Sequence, residues 1–178
     1  RTLLKGQLKY MRQYYDVVAI SSKEGLNDVL REQEVRGYTV EMTRKVTPFK
    51  DLVSLFQLIR ILLKEKPYIV HTHTPKAGVL GMVAAWITRV PNRLHTVAGM
   101  PLLVATGKKR RMLDIVEKLT YFCATKVYPN SFVMRDIIVS LNLASINKLK
   151  VIAEGSTNGI DISFFTPENT ISKEALRR

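Results

Sequence analysis

Two histidines stand two positions apart where a buried strand turns into a helix. They lie in His71-Thr-His-Thr-Pro-Lys-Ala-Gly78, which follows the short apolar run at residues 68–70. Strand alternation places His71 and His73 on one side of the strand, near its carboxyl end. The threonine and proline that follow suit the N-cap and the first turn of a helix. The segment therefore predicts a strand followed at once by a helix.

The first turn of the predicted helix is suited to an anion. Its backbone N–H groups have no partner inside the helix, and Lys76 adds a positive charge beside them. Open parallel sheets bind ligands at the carboxyl ends of their strands, where this turn lies. We therefore predict substrate binding by four residues of the turn, namely His71, His73, Lys76 and Gly78. The alternative is that the histidines only pack in the strand.

A second turn carries the third histidine of the chain. His95 lies in Arg93-Leu-His-Thr-Val97, which predicts a neighbouring strand, and Gly99 follows it. Parallel neighbours end at the same edge of a sheet, so all three histidines are expected to converge there. Three histidines could also bind zinc. We favour the anion site, because histidines can simply donate hydrogen bonds and the motif contains no acidic base. No metal or other cofactor is predicted.

A glycine-containing loop follows the last predicted strand. It reads Gly155-Ser-Thr-Asn-Gly-Ile-Asp161, and its N–H groups and hydroxyls could close a phosphate or sugar site. Gly155, Ser156 and Asn158 are therefore candidates for the donor side of a site or for contact with another domain. The alternative is a plain tight turn at Asn158-Gly159.

Composition limits the class of protein and indicates an anionic partner. The chain has 178 residues, of which 46% are hydrophobic, enough for one globular domain with a sizeable core. Its single cysteine, Cys123, excludes an internal disulfide and any multi-cysteine metal cluster. No apolar run is long enough to span a membrane. The formal net charge of +13 predicts an anionic partner.

The positive charge is concentrated beside apolar residues in two segments. Residues 3–12 contain cations among leucines and a methionine, and residues 100–113 contain Lys108-Lys-Arg-Arg111 after an apolar stretch. Such mixtures favour an anionic membrane surface. Nucleic acid is the rival partner, but no recognised RNA-binding or DNA-binding motif accompanies the charge, so we predict no nucleic acid. A merely solvated basic face is the third interpretation.

Strand-like and helix-like segments alternate along the chain. This alternation predicts an α/β fold in which a doubly wound parallel sheet carries helices on both faces. Strands are predicted at residues 16–20, 38–42, 68–73, 93–97, 126–129 and 150–153. Helices are predicted at residues 2–15, 24–34, 47–64, 75–88 and 110–124, with a short one from Ser131. Gly37 is expected to close the helix at 24–34.

The ends of the chain suggest a longer protein. The sequence opens in a helix-like stretch, whereas a doubly wound fold normally starts with a strand, so its first strand is expected to be missing. A polar, charged stretch follows Phe164-Phe-Thr-Pro167 at the other end. We expect one domain at residues 1–166 and, at residues 167–178, a linker toward a partner domain that is absent.

Together these motifs resemble the N-terminal half of retaining GT-B glycosyltransferases of family four. The likeness rests on the turn at residues 71–78, His95-Thr-Val-Ala-Gly99, Val127-Tyr-Pro-Asn-Ser131 and the closing stretch from Lys150 to Phe165. It is strongest to bacterial enzymes of capsule, O-antigen and other surface-polysaccharide assembly. In that family two Rossmann-like domains face each other across a cleft; the first holds mainly the acceptor and the second the nucleotide sugar. The resemblance implies an acceptor-side domain that is inactive alone.

One turn departs from the family pattern. Many members have His-Thr-x-His there, and the second histidine contacts the transferring sugar, whereas this chain has Ala98 at that position. The resemblance therefore assigns no catalytic residue. His95 and Gly99 match the remaining positions of the turn and stay predicted substrate-binding residues.

The resemblance also implies a reaction and a place in the cell. The enzyme would transfer a hexosyl or N-acetylhexosaminyl group, with retention, from a UDP-linked nucleotide sugar to a lipid-linked glycan. It would lie in the cytoplasm, peripheral on the inner face of the cytoplasmic membrane. Two alternatives stay open: a nucleotide-sugar epimerase of the same architecture, and a non-catalytic basic module that binds membrane or nucleic acid.

Overall fold

Parallel strands and helices alternate in a computed structural model of the chain, which describes residue 4 and residues 6–43 and 47–156. The strands are β1 (Val18–Ser21), β2 (Arg36–Thr39), β3 (Ile69–Thr72), β4 (Asn92–Val97) and β5 (Lys126–Pro129). The α-helices are α1 (Gln7–Met11), α2 (Leu26–Gln33), α3 (Pro48–Glu65), α4 (Pro75–Ile87), α5 (Gly107–Cys123) and α6 (Phe132–Ser140). Two short 3-10 helices, Pro101–Val104 and Ile146–Lys148, complete the described elements.

All the strand pairs are parallel, which confirms the predicted fold class. β1 pairs with β2, while β3, β4 and β5 form a second sheet in that order. In the second sheet Thr72 lies opposite His95, and His95 lies opposite Val127. This register determines which side chains share a face of the sheet, because side chains opposite each other in parallel strands point to the same side.

Helices cover both faces of the first sheet. Two consecutive residues of β2, Gly37 and Tyr38, lie on opposite faces of the sheet, and each contacts a different helix. A Cβ added at Gly37 would lie 2.7 Å from a methyl group of Leu30 in α2. The next residue, Tyr38, donates from its hydroxyl to Glu65 at the end of α3. The chain therefore has the layered α/β arrangement of a Rossmann-like domain.

The core lies mainly between the sheets and the row formed by α3, α4 and α5. One buried cluster joins α3 to α4, and its central residues include Leu58, Leu62 and Ala84. A second cluster includes Met82 of α4 and Tyr121 of α5. α4 lies between α3 and α5 and packs against both helices. Small residues on α4 allow this close packing, and they bring the start of the helix against β3 and β4.

Four predicted elements need correction. The predicted strand at residues 150–153 is only an isolated bridge between Leu149 and Val127, because the chain turns away at Ala153 and Gly155, both at positive φ. The predicted helix at 2–15 is helical over Gln7–Met11, with residues 1–3 and 5 outside the described ranges. α5 begins at Gly107 rather than at residue 110.

The fourth correction concerns the second strand. β2 covers residues 36–39 rather than 38–42. The sequence pattern suggested Gly37 as the residue that ends α2, but Glu34 takes that left-handed position with φ 55°. Gly37 lies in the strand instead, where a Cβ would be 2.5 Å from the carbonyl oxygen of Ala19. Its lack of a side chain permits close strand pairing and helix packing.

Candidate functional site

A pocket of about 470 Å³ opens at the carboxyl edge of the second sheet. Residues 73–75, residues 95–101 and Glu117 form its walls. They come from the turn after β3, the end of β4 with its following loop, and the third turn of α5. The pocket therefore lies where parallel sheets bind ligands, and it brings together predicted site residues from two turns.

His95 is held rigidly at the base of this pocket. Its Nδ1 lies 2.8 Å from the hydroxyl oxygen of Thr72, and its ring lies 5.9 Å from that of Tyr121. The residue is 3% exposed. Burial, aided by the nearby His73, lowers the pKa of His95 to about 4. The imidazole is therefore neutral at physiological pH and can donate one hydrogen bond and accept another.

His73 shares the pocket with His95, but His71 does not. Burial lowers the pKa of His73 to about 4, so this imidazole is also neutral at physiological pH. The ring of His71 lies 4.1 Å from that of His73, and its Nε2 lies 2.8 Å from the hydroxyl oxygen of Thr96. Because Thr72 rather than His71 pairs with His95, His71 and His95 occupy opposite faces of the sheet. All three histidines therefore lie at the carboxyl edge of the sheet, as expected, but only His73 and His95 line the pocket.

The start of α4 has the predicted cap. The hydroxyl oxygen of Thr74 accepts a hydrogen bond from the backbone N–H of Ala77, and Pro75 occupies the first turn. Lys76 points toward α3, where its Nζ lies 2.7 Å from the Asp51 carboxylate. The Lys76 side chain is 16% exposed. Its role as an anion ligand stays a prediction, because the structure places a carboxylate on the ammonium.

Asp51 is a strong partner for this lysine. Burial acts to raise the pKa of Asp51, but hydrogen bonds from Lys76 and Thr47 outweigh that effect and hold the pKa below its usual value. The hydroxyl of Thr47 donates to Asp51 at 3.0 Å, and its backbone N–H donates at 3.2 Å. The ion pair thus joins the first turns of α3 and α4.

The two candidate glycines near the pocket differ in their surroundings. A Cβ added at Gly78 would lie 2.7 Å from Cε1 of His95, so this glycine makes room for the histidine ring. A Cβ at Gly99 would meet no atom within 4 Å. Gly99 lines the pocket, and the space beside it is open. Direct substrate contact by either glycine stays a prediction.

The loop at residues 155–156 packs beside the same edge. The backbone N–H of Ser156 donates to the carbonyl oxygen of Asn130 at 2.6 Å. The side-chain amide of Asn130 in turn donates to the carbonyl oxygen of Ala98, a residue of the pocket wall. Gly155 has φ 94° and lies so close to Asn130 that a Cβ would be 2.6 Å from its oxygen. Asn158 lies outside the described residues.

Sequence analysis missed Glu117, which lines the pocket although the residue is only 5% exposed. Burial raises the pKa of this carboxyl group, and a contact with Tyr121 acts in the opposite direction. A signal was present in the sequence. Glu117 occupies the same helical face as Leu113 and Tyr121, which are apolar or aromatic, so a carboxyl group interrupts a buried stripe.

The described residues include no group of three or more His, Cys, Asp or Glu side chains arranged to hold a metal ion. The polar side chains that the pocket offers include two neutral imidazoles and a buried carboxyl group. Such groups suit sugar hydroxyls, which both donate and accept.

The two basic segments have different surroundings. In the first, Lys9 and Arg12 both bind the carboxylate of Glu34. Lys5 lies outside the described residues. In the second, Lys108, Lys109 and Arg111 are exposed, and Val104 beside them is 87% exposed. Among the described residues, none of the cations at 108–111 forms an ion pair. No helix within the described ranges is long and apolar enough to cross a membrane.

The fold and the pocket define a Rossmann-like α/β domain with a hydrogen-bonding site at the carboxyl edge of its sheet. The particular family follows from comparison with known proteins. The family model described as "Glycosyl transferase 4-like" matches residues 2–131, so the chain belongs to this family. This confirms the resemblance found in the sequence motifs.

Two curated relatives are glycosyltransferases. The chain is 37% identical over 176 residues to the capsular polysaccharide biosynthesis glycosyltransferase CapM of Staphylococcus aureus, covering 99% of the chain and 46% of the relative. It is 33% identical over 161 residues to the UDP-Gal:alpha-D-GlcNAc-diphosphoundecaprenol alpha-1,3-galactosyltransferase of Escherichia coli, covering 87% and 40%. The chain thus spans about half the length of the curated relatives it matches.

A solved structure supports the fold. The UDP-N-acetylglucosamine 2-epimerase of Rickettsia bellii superposes with a TM-score of 0.69 at 15% identity, over 98% of this chain and 47% of that protein. At this identity the likeness concerns the fold alone. It places the described sheet and helices in the architecture expected from the sequence.

Proposed function

We propose that this chain is the acceptor-binding part of a glycosyltransferase that adds a sugar to a lipid-linked glycan during polysaccharide assembly. The observation that carries the proposal is the pocket with two neutral histidines at the carboxyl edge, in a chain of the glycosyl transferase 4-like family. The Escherichia coli relative acts on a diphosphoundecaprenol-linked sugar, by its name. A lipid-linked acceptor and a UDP-linked donor are the matching substrates here.

In this proposal the pocket orients the acceptor sugar. His73 and His95 are both neutral, so they can form hydrogen bonds with sugar hydroxyls without attracting a competing anion. Because Nδ1 of His95 already contacts Thr72, only Nε2 of this ring is left for the sugar. Gly99 leaves open space for the sugar ring. The reaction proceeds with retention of configuration and transfers a hexosyl or N-acetylhexosaminyl group. His71 and Lys76 lie at the same edge and extend the acceptor site toward the diphosphate.

The proposed enzyme has two domains. Residues 1–166 form the acceptor-side domain, and residues 167–178 lead to a domain that binds most of the nucleotide sugar. The loop containing Gly155 and Ser156 borders the pocket wall through Asn130, which suits a position facing the donor. Asn158 belongs to the same proposed donor-side loop. The chain alone is expected to be inactive.

The basic segment at residues 100–113 is proposed to bind the anionic inner face of the cytoplasmic membrane. Met100 and Pro101 line the pocket, and the same stretch continues into the exposed Val104 and the cations at 108–111. A membrane bound here would lie beside the pocket. A lipid-linked acceptor could then present its sugar without leaving the bilayer.

A nucleotide-sugar epimerase is the second candidate function, because an epimerase shares this fold. The two reactions differ in their requirement for an acceptor. The full-length enzyme should be incubated with a panel of UDP-sugars, with and without a prenyl-diphosphate N-acetylglucosamine acceptor. We expect a new, longer lipid-linked glycan and release of UDP only when the acceptor is present. Conversion of the donor sugar to its epimer without acceptor would refute the transferase proposal.

His95→Ala gives a sharper test of the site. Loss of one hydrogen bond between the acceptor and the remaining ring nitrogen of His95 should raise the acceptor KM about 2-fold to 10-fold, since one hydrogen bond contributes about 0.5–1.5 kcal/mol. Ser140→Ala is the control, because Ser140 lies in α6, is exposed and does not line the pocket. Equal effects of the two changes would contradict the pocket as the acceptor site.

A further inference from the structure

Glu117 is a buried carboxyl group without an ionic partner. Among the described residues, no lysine, arginine or histidine forms a salt bridge with it. It is 5% exposed, yet it forms part of the wall of the pocket that contains His73 and His95. It is also the one acidic residue in that wall as described.

The group next to Glu117 is not a sufficient partner. The Tyr121 hydroxyl is buried without a hydrogen-bond partner of standard geometry among the described residues. Burial, then the charge of Glu117 and then a hydrogen-bonding contact with its carboxyl group raise the pKa of Tyr121, so the Tyr121 hydroxyl occupies at most one of the acceptor positions of Glu117. The Glu117 carboxyl therefore still has capacity to accept hydrogen bonds from a molecule in the pocket.

An unpaired buried carboxyl group is costly to a fold. Removing a carboxylate from water without compensation is strongly unfavourable, and packing alone would favour an apolar residue at this position of α5. Groups of this kind cluster at functional sites. The face of Glu117 that is not packed against protein is the face toward the pocket, so a pocket ligand is the natural compensating partner.

We propose that Glu117 accepts a hydrogen bond from a hydroxyl group of the acceptor sugar and thereby fixes that sugar beside His95. This role rests on the proposed function, because it requires an acceptor in the pocket. It gives the pocket a strong hydrogen-bond acceptor alongside two imidazoles, a combination that selects a sugar with a hydroxyl at one defined position.

The test uses Glu117→Gln in the full-length enzyme, with Asp114→Asn as the matched control. Asp114 lies on the same helix, forms a partly exposed ion pair with Lys118 and does not line the pocket. Both changes remove one negative charge from α5. Acceptor KM, kcat and melting temperature should be measured for each variant, with a prenyl-diphosphate N-acetylglucosamine acceptor and its monodeoxy analogues.

We expect Glu117→Gln to raise the acceptor KM about 10-fold to 100-fold, the range for one charge-assisted hydrogen bond, with little change in melting temperature. Glu117→Asp should recover part of the loss. One monodeoxy acceptor should lose affinity with the wild type but no further affinity with Glu117→Gln, because both changes remove the same contact. Asp114→Asn should behave as wild type.

The outcomes separate the two proposals. Normal acceptor kinetics of Glu117→Gln in an enzyme that transfers sugar would overturn the role of Glu117 and leave the proposed function intact. The role of Glu117 would also be overturned if, for every monodeoxy acceptor, the loss of affinity caused by the missing hydroxyl added fully to the loss caused by Glu117→Gln. A wild-type enzyme that transfers sugar to no lipid-diphosphate acceptor would overturn both proposals together.

Discussion

The starts of α4 and α5 carry cations in similar sequence contexts, but their surroundings differ. Each helix begins near the carboxyl edge of the second sheet, and each has lysine in its first turn. Lys76 of α4 is 16% exposed and binds the Asp51 carboxylate. Lys108 and Lys109 of α5 are exposed, and the described residues place no carboxylate against them.

This difference separates a structural cation from a cation free for a partner. The charge of Lys76 is compensated inside the domain, so it joins α3 to α4 before any ligand arrives. Within the described residues the cations at 108–111 have no compensation of this kind, and the exposed Val104 beside them suits the proposed membrane contact. A basic residue is thus available to an anionic partner only where the fold places no carboxylate of the same chain beside it.

The largest expected effect concerns the α5 cations. Each basic residue near an anionic membrane contributes about 1 kcal/mol, so replacing all four residues 108–111 by glutamine should weaken vesicle binding by about a thousandfold. The measurement is co-sedimentation of the full-length enzyme with vesicles of mixed anionic and neutral lipid. Added salt should weaken wild-type binding in the same assay. Unchanged sedimentation, or equal binding to neutral vesicles, would contradict the proposed membrane surface.

A smaller effect is expected from the ion pair at α4. Lys76→Ala and Asp51→Asn should each lower the free energy of unfolding by about 1–3 kcal/mol, because each leaves a partly buried charge without its partner. The double variant should lose less than the sum of the two. Urea unfolding measures this coupling. Additive losses would show that the pair does not join the helices.

Acceptor kinetics decide whether Lys76 has a second role. If Lys76 also binds the diphosphate of the acceptor, as the sequence predicts, Lys76→Ala should raise the acceptor KM while Asp51→Asn does not. A normal KM for Lys76→Ala in folded enzyme would restrict Lys76 to its structural role.

The sequence predicted much of the fold because its signals there are local. Short apolar runs and the Thr74-Pro75 cap depend on neighbouring residues, and four of the six predicted strands fall within two residues of their observed bounds or closer. The strand predicted at 150–153 failed because pairing with β5 ends after one bridge, at a turn governed by tertiary contact. Gly37 was assigned to a helix end because a glycine there is common, whereas the fold needed it in β2.

The site was harder to predict, because strand register determines its geometry. Sequence spacing places His71 and His73 together, but only the pairing of Thr72 with His95 shows that His71 faces away from His95. The partner of Lys76 lies 25 positions away at Asp51, and no local pattern connects them. Glu117 was visible only as an irregularity in a buried helical stripe.

The next prediction concerns pH. Acidification should destabilise the fold around His95, which packs against Gly78 at the start of α4, but it should leave the charge of the cations at the start of α5 unchanged. Burial lowers the pKa of His95 to about 4, whereas the unfolded chain titrates near 6.5. Between these values the unfolded state binds the extra proton, so stability is fully present above pH 6.5 and is lost as the pH falls toward 4. From pH 7 to pH 5 His95 should account for up to about 2 kcal/mol.

Urea unfolding at both pH values measures this loss, and His95→Gln should reduce it. Lysine and arginine at 108–111 stay charged throughout, so binding to anionic vesicles should persist at pH 5 in protein that is still folded. A wild-type stability that does not change between pH 7 and pH 5 would contradict a buried neutral histidine.

The smallest effect is expected at the first basic segment, where Glu34 binds both Lys9 and Arg12. Glu34 is to these two cations what Asp51 is to Lys76, but all three side chains are about half exposed, so water already screens the charges. Glu34→Gln should therefore leave the melting temperature almost unchanged. It should slightly increase binding to anionic vesicles, because it releases two cations that lie beside exposed tyrosines. Glu32→Gln on the same helix is the control. A large gain in vesicle binding for Glu34→Gln would contradict this expectation. It would show that pairing with the Glu34 carboxylate, and not the position of the segment in the fold, prevents the first basic segment from binding a membrane.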